Sequence, residues 1–194
     1  FIPGVPLTPS SPSLPFTACV SSQVGCSLNC EFCATAKLKR MRNLEVAEIV
    51  DQVALIDKQS KLYFDRPLSN IVFMGMGEPM MNYKNVVDAI RKITQEDGLG
   101  MSARRITVST SGIPKMMKML ADENLKVKLA LSLHSAIEHK RNEIMPFSTK
   151  FPLTEIMEAM QYWYDKTGSR ITFEYCVWKG INDGDEDIKA LIKY

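Results

Sequence analysis

The chain has 194 residues, 45% of them hydrophobic and 24% charged, with a formal net charge of +2. That size and apolar content fit one globular domain with a sizeable core, or a large part of a bigger one. No apolar run approaches the roughly 20 residues needed to cross a bilayer, and the opening lacks the charged start and apolar stretch of a secretion signal, so the expected location is cytoplasmic, away from membranes. A charge this small neither demands nor excludes a nucleic-acid partner, because clustering matters more than the total. Five cysteines are too few for a disulfide scaffold, and three of them crowd between Cys26 and Cys33, which points to a metal site.

Residues 1–17 carry Pro3, Pro6, Pro9, Pro12 and Pro15 among serines and read as an irregular arm. Residues 18–194 read as one core. Short β-type runs alternate there with helical ones, the pattern of an α/β protein with a parallel sheet built from five βα units. The expected strands are Ala18 to Ser21, Asn70 to Met74, Arg105 to Ser109, Val127 to Ser132 and Arg170 to Val177, each short and rich in apolar or β-branched residues. Helices are expected near Val46 to Lys61, Asn85 to Gln95, Pro114 to Asp122 and Thr154 to Lys166, with Pro114 at a helix start and Thr154 as a cap. A last helix, Asp185 to Tyr194, runs to the terminus. A further strand would be expected to close the sheet edge, so the chain reads as a piece of a longer protein.

The segment Cys26-Ser-Leu-Asn-Cys30-Glu-Phe-Cys33 has the spacing C-x3-C-x2-C directly after the first strand. Cluster irons are usually held by four cysteines, so a three-cysteine loop leaves one iron open to a chelating ligand. The amino and carboxylate groups of S-adenosylmethionine (SAM) are such a ligand. A structural zinc site with Cys19 or a distant histidine as fourth ligand is the competing reading, although zinc fingers pair their cysteines as C-x2-C. A non-catalytic RNA-binding surface is a third.

In a parallel βα array the active site forms at the carboxyl ends of the strands. The second strand ends in Gly75-Met-Gly77-Glu78-Pro79, the third in Ser109-Thr-Ser-Gly112 and the fourth in Ser132-Leu133-His134. Gly77-Glu78 suits close backbone approach to a ligand, with a carboxylate to meet an ammonium group, or an ordinary tight turn. Ser109, Ser132 and His134 could each be structural, and their shared position at strand ends favours the site. Cys176, inside the last expected strand, reads as a buried hydrophobe. The basic run Lys37-Leu-Lys39-Arg40-Met-Arg42 reads as a solvated face or a phosphate-backbone contact.

The stretch Ala18-Cys19-Val-Ser-Ser-Gln-Val-Gly-Cys26, with the cysteine loop and the motifs Gly75-Met-Gly-Glu-Pro79, Arg105-Ile-Thr-Val-Ser-Thr-Ser-Gly112, Leu131-Ser-Leu-His134 and Glu174-Tyr175, resembles the radical SAM RNA methyltransferases that methylate adenine. The resemblance is strongest to the dual-specificity branch acting on carbon 2 in 23S ribosomal RNA and transfer RNA; a branch acting on carbon 8 shares the framework. It implies a partial (β/α) barrel with about five of six βα units, a 4Fe–4S cluster on Cys26, Cys30 and Cys33, and SAM against Gly77, Glu78, Ser109, Ser132, Leu133 and His134. It also implies a monomer supplied by a one-electron reductant such as a flavodoxin system. In that family one SAM methylates a cysteine near the carboxyl end and a second is cleaved to a radical that activates this methyl group; Cys19 matches the cysteine that resolves the resulting RNA adduct through a disulfide. The resemblance puts the methyl-carrying cysteine beyond Tyr194 and the acidic base before Phe1. The 194 residues alone are therefore expected to hold the cofactors without completing methylation.

Overall fold

The computed structural model describes residues 15–194, so most of the expected arm lies outside the described residues. One five-stranded parallel sheet organises the chain: β1 (Thr17–Cys19), β4 (Asn70–Phe73), β5 (Ile106–Thr110), β6 (Lys128–Ser132) and β7 (Ile171–Glu174) lie side by side in sequence order. The small antiparallel pair β2 (Gln23–Val24) and β3 (Arg42–Asn43) interrupts the first crossover. Crossovers of one hand between strands laid down in order carry all their helices to one side of the sheet. That arrangement curls the sheet toward an open barrel.

The helices are α1 (Val46–Phe64), α2 (Tyr83–Thr94), α3 (Pro114–Asp122), α4 (Glu138–Ile144), α5 (Leu153–Thr167) and α6 (Asp185–Lys193). α1 packs on α2, and α3 on α5. Between them and the sheet lies one continuous core, with Ile71, Ile90, Ile106, Leu129, Leu131 and Trp163 nearly or wholly removed from solvent. α2 shows how the sequence specifies such a helix: Val86, Val87, Ile90 and Ile93 recur at helical spacing and are buried, while Lys84, Asp88 and Arg91 face water.

The five expected strands and five expected helices are all present, with shifted ends. Thr154 is not a cap: α5 begins one residue earlier after Pro152, and the Glu138 carboxylate accepts the Leu153 N–H at 2.9 Å. The last strand stops at Glu174, short of Val177. Beyond it the chain curls, with Cys176 N–H donating to His134 Nδ1 (3.1 Å) and Trp178 N–H to Asn182 Oδ1 (2.7 Å). Cys176 is accordingly exposed and not the buried hydrophobe expected of a strand residue. α4 is absent from the sequence-based reading because Glu-His-Lys-Arg-Asn-Glu-Ile has no apolar stripe to reveal it.

Leu129 lies at the centre of the sheet, paired with both Val108 and Ile171 and fully buried. Leu129→Ala removes that side chain from between two layers and is expected to cost about 3 kcal/mol of unfolding free energy, as cavity-forming core truncations do. A urea titration of the two proteins measures this; a loss below about 1 kcal/mol would mean the core relaxes into the gap.

Candidate active site

Residues 25–41 leave the sheet as a long loop whose two ends are closed by β2 and β3. Gly25 permits the closure: it adopts φ +74°, and a Cβ there would lie 2.2 Å from the Lys39 carbonyl. Cys26 N–H donates to Leu38 O (3.2 Å), Met41 N–H to Val24 O (2.8 Å) and Glu31 N–H to Ile144 O (3.0 Å), which fastens the loop to the end of α4. Cys26, Cys30 and Cys33 ride on this loop, each partly exposed.

The loop is latched to the segment that follows β4. The amides of Ser22 and Gln23 both donate to Met76 O (3.0 and 3.1 Å). The Gln23 side chain accepts from Glu78 N–H (3.0 Å) and donates to Asn43 Oδ1 (2.7 Å). Gly77, at φ +96°, sits so close that a Cβ would fall 2.5 Å from Gln23 Cβ. Its glycine is therefore required by a protein neighbour, where the sequence suggested a ligand.

A cavity of about 410 Å³ opens at the carboxyl ends of the sheet strands. Cys26, Cys30 and Cys33 line one side, and Gly77, Glu78, Ser109, Ser132 and His134 line the others. Eight of the ten residues singled out in the sequence thus meet at one place. Leu133 is buried and does not line the cavity; its N–H donates to Glu174 O (3.0 Å). Cys19, the last residue of β1, is half-buried and does not line the cavity.

Each polar wall residue has a fixed orientation. Glu78 is buried, and its carboxylate accepts from Met80 N–H (3.1 Å), Ser111 N–H (2.7 Å) and Ser111 Oγ (2.8 Å). Burial raises its pKa while these donors pull it down. The carboxylate thus binds the β4 and β5 loops to each other, while the Glu78 N–H is committed to Gln23 and its carbonyl accepts from Met81 N–H (3.0 Å). Ser109 Oγ lies 3.2 Å from the Glu174 carboxylate and Ser132 Oγ 3.1 Å, so both hydroxyls donate to one acid. Glu174 also lines the cavity; the sequence placed it in a motif without giving it a task. His134 holds a left-handed backbone (φ +55°), with Phe32 edge-on to its ring at 4.4 Å and Nε2 buried without a partner among the described residues.

The donor set suits an iron–sulfur cluster better than a single ion. Among the described residues no three His, Cys, Asp or Glu side chains converge closely enough to hold one metal ion. A cubane cluster asks for something different, because each thiolate binds its own iron and the three sulfurs stand apart around it. Burial pushes the Cys30 thiol up to about 12, the charges of Cys26 and Cys33 add to this, and Cys26 is raised for the same first reason. Cys26 and Cys30 therefore favour the neutral thiol until a cation is bound beside them.

Comparisons with known proteins agree with this geometry. The model of the Radical SAM superfamily matches residues 20–192. A Flavobacterium psychrophilum protein named as a dual-specificity RNA methyltransferase RlmN is 69% identical over 178 residues, covering 92% of this chain and 51% of that relative. One from Cytophaga hutchinsonii with the same name is 51% identical, covering 92% and 49%. The chain spans about half the length of the curated relatives it matches. The crystal structure of a radical SAM methyltransferase from Sphaerobacter thermophilus superposes with a TM-score of 0.89 at 41% identity, over 91% of this chain and 52% of that one.

Burial holds the His134 imidazole down at about pKa 4, and the Arg141 charge adds to the effect. An unfolded histidine titrates near 6.5, so the unfolded chain binds the extra proton first. The stability tied to neutral His134 is present above about pH 6.5 and is lost as pH falls toward 4. Unfolding midpoints in urea should therefore drop more steeply from pH 7 to pH 5 in the wild type than in His134→Asn, which tolerates the left-handed backbone. Parallel slopes would remove His134 from the pH dependence.

Proposed function

Because the chain belongs to the radical SAM superfamily, we propose that Cys26, Cys30 and Cys33 hold a 4Fe–4S cluster and that the strand-end loops beside them hold SAM. One observation carries this reading: the three cysteines and the loops after β4, β5 and β6 face the same cavity, with no convergent site for a lone ion among the described residues. When bound, the cluster and SAM together supply an organic radical by one-electron cleavage of the sulfonium. The protein binds, orients and shields. The Gly77 backbone and the remaining lone pair of the Glu78 carbonyl face the ligand's amino-acid end in this reading, the Glu78 N–H being held by Gln23. Ser109 and Ser132, turned by Glu174, present polar groups to the rest, and the neutral His134 closes the wall with its Nδ1 committed to Cys176 N–H.

The activity of the protein containing this core is methylation of carbon 2 of an adenine in 23S ribosomal and transfer RNA. Relatives 69% and 51% identical bear a dual-specificity RNA methyltransferase name. A polar methyl transfer to this electron-poor ring carbon would be slow, which is the chemical reason for a radical route. RNA would meet the exposed ridge of Lys37, Lys39 and Arg40, held rigidly beside the cysteines by the backbone bonds of Gly25 to Met41. Arg42 is less available, being paired with Glu48 at 2.7 Å. Cys19, outside the cavity wall, suits a step after radical chemistry, the resolution of an RNA adduct, and is no cluster ligand. The same reading makes the protein a cytoplasmic monomer fed by a one-electron donor such as a flavodoxin system.

Iron, sulfide and zinc content after anaerobic reconstitution, with reductive release of 5′-deoxyadenosine from SAM, tests the proposal. The expectation is a brown, iron-loaded protein that cleaves SAM under reduction and yields no methylated RNA from these 194 residues alone. Cys30→Ala should abolish the visible absorbance, and Cys19→Ala should leave it unchanged. Zinc without iron in the wild type would overturn the cluster, and loss of absorbance in the Cys19 variant would make that residue a ligand.

A further inference from the structure

Arg141, on α4, is fully buried, and no carboxylate among the described residues is hydrogen-bonded to it. Its Nε donates to Leu133 O (3.2 Å), and its Nη2 donates to Ser111 O (2.6 Å) and Ser132 O (3.3 Å). Nη1 has no partner among the described residues. Carbonyl dipoles solvate a guanidinium without neutralising it, and an uncompensated buried charge is costly. Nearby Glu138 spends a carboxylate oxygen on the Leu153 N–H.

The side chain does not line the cavity. It stands behind the wall, where its three acceptors lie just after β5 (Ser111) and at the end of β6 (Ser132 and Leu133). The same helix end carries the cysteine loop, through Glu31 N–H on Ile144 O at 3.0 Å. Arg141 thus touches or adjoins every part of the site except the β4 loop, and its charge is felt at both Cys30 and His134.

We propose that Arg141 is a positioning residue and the fixed countercharge of the cysteine site: it brackets the β5 and β6 loops and favours the reduced state of the cluster held by Cys26, Cys30 and Cys33. The inference rests on the cluster reading above. In the step concerned, one electron passes from a low-potential one-electron donor, which is oxidised, to the cluster, which becomes one unit more negative with no bond made or broken. A buried cation stabilises the more negative state. The cavity wall keeps water from screening it.

The test is a redox titration of the reconstituted chain, followed by the electron paramagnetic resonance of the reduced cluster, in the wild type, Arg141→Gln and Arg141→Lys. Arg141→Gln removes the charge and should lower the reduced-to-oxidised ratio at a fixed potential about tenfold, which is about 59 mV for one electron. Arg141→Lys keeps the charge while losing the planar fork, and its ratio should stay close to the wild type. An unchanged ratio in the Gln variant, or an equal fall in both variants, would overturn the countercharge role. Should the Gln variant take up no cluster, the Lys variant decides: a loaded protein with the native ratio supports the inference, and an unloaded protein or a tenfold fall overturns it. A wild-type chain that takes up no iron overturns the cluster reading and this inference together; a loaded wild type with insensitive variants overturns this inference alone.

Discussion

The amides of Ser22 and Gln23 share one carbonyl, that of Met76, and the geometry of the cavity depends on that junction. A loop as long as residues 25–41 loses considerable conformational entropy when its shape is fixed. Here the loss is spread over backbone bonds at both ends, with β2 pairing β3 and the latch tying β2 to the segment after β4. Asn82 extends the latch by donating to Ser22 O and Leu44 O, both at 2.8 Å. The cysteines are consequently positioned by main-chain contacts that do not involve their sulfurs. A site formed this way is largely shaped by folding itself, which lowers the ordering left for the metal to impose.

Charge is distributed unevenly around the cavity. Glu78, Glu174 and four cysteines lie in its wall, the Glu78 carboxylate turned to Met80 and Ser111, and the only buried guanidinium among the described residues, Arg141, stands behind it. The Glu174 carboxylate in that wall favours a ligand with positive centres. The sulfonium and ammonium groups of SAM fit that requirement, while its carboxylate needs a metal or a backbone donor. The two serines hydrogen-bonded to Glu174 hold that carboxylate to a single orientation, so β5, β6 and β7 present one polar surface.

Much of this was legible in the sequence, for a physical reason. Strands covered on both faces read as short apolar runs, and helices such as α2 read as periodic ones, so the βα alternation and the strand-end positions followed directly. The cysteine spacing and the motifs at Gly77, Ser109 and His134 then pointed to one location. What could not be read is what depends on pairing across the fold. Gly77 is glycine because of Gln23, more than fifty residues earlier in the chain, and the Glu78 carboxylate serves Ser111 just after the next strand. Arg141 lay in a polar heptapeptide whose burial shows only once Ser111, Ser132 and Leu133 surround it. Cys176 read as a strand residue because its apolar neighbours continue the pattern past Glu174, where bonds to His134 and Asn182 bend the chain away.

The same pairing across the fold bears on the choice between one ion and a cluster. A tetrahedral zinc draws its four ligands together at about 2.3 Å from each sulfur, which asks the three cysteines to converge with a fourth donor. The bond of Cys26 N–H to Leu38 O instead closes the loop on itself and that of Glu31 N–H to Ile144 O ties it to α4, and the only other cysteine lining the cavity among the described residues is Cys176 beyond β7. A cubane is larger than an ion and brings its own sulfides; Cys26, Cys30 and Cys33 would hold it in the same cavity that Ser109, Ser132 and His134 line, and with only three protein thiolates it would supply an iron open to a chelating ligand.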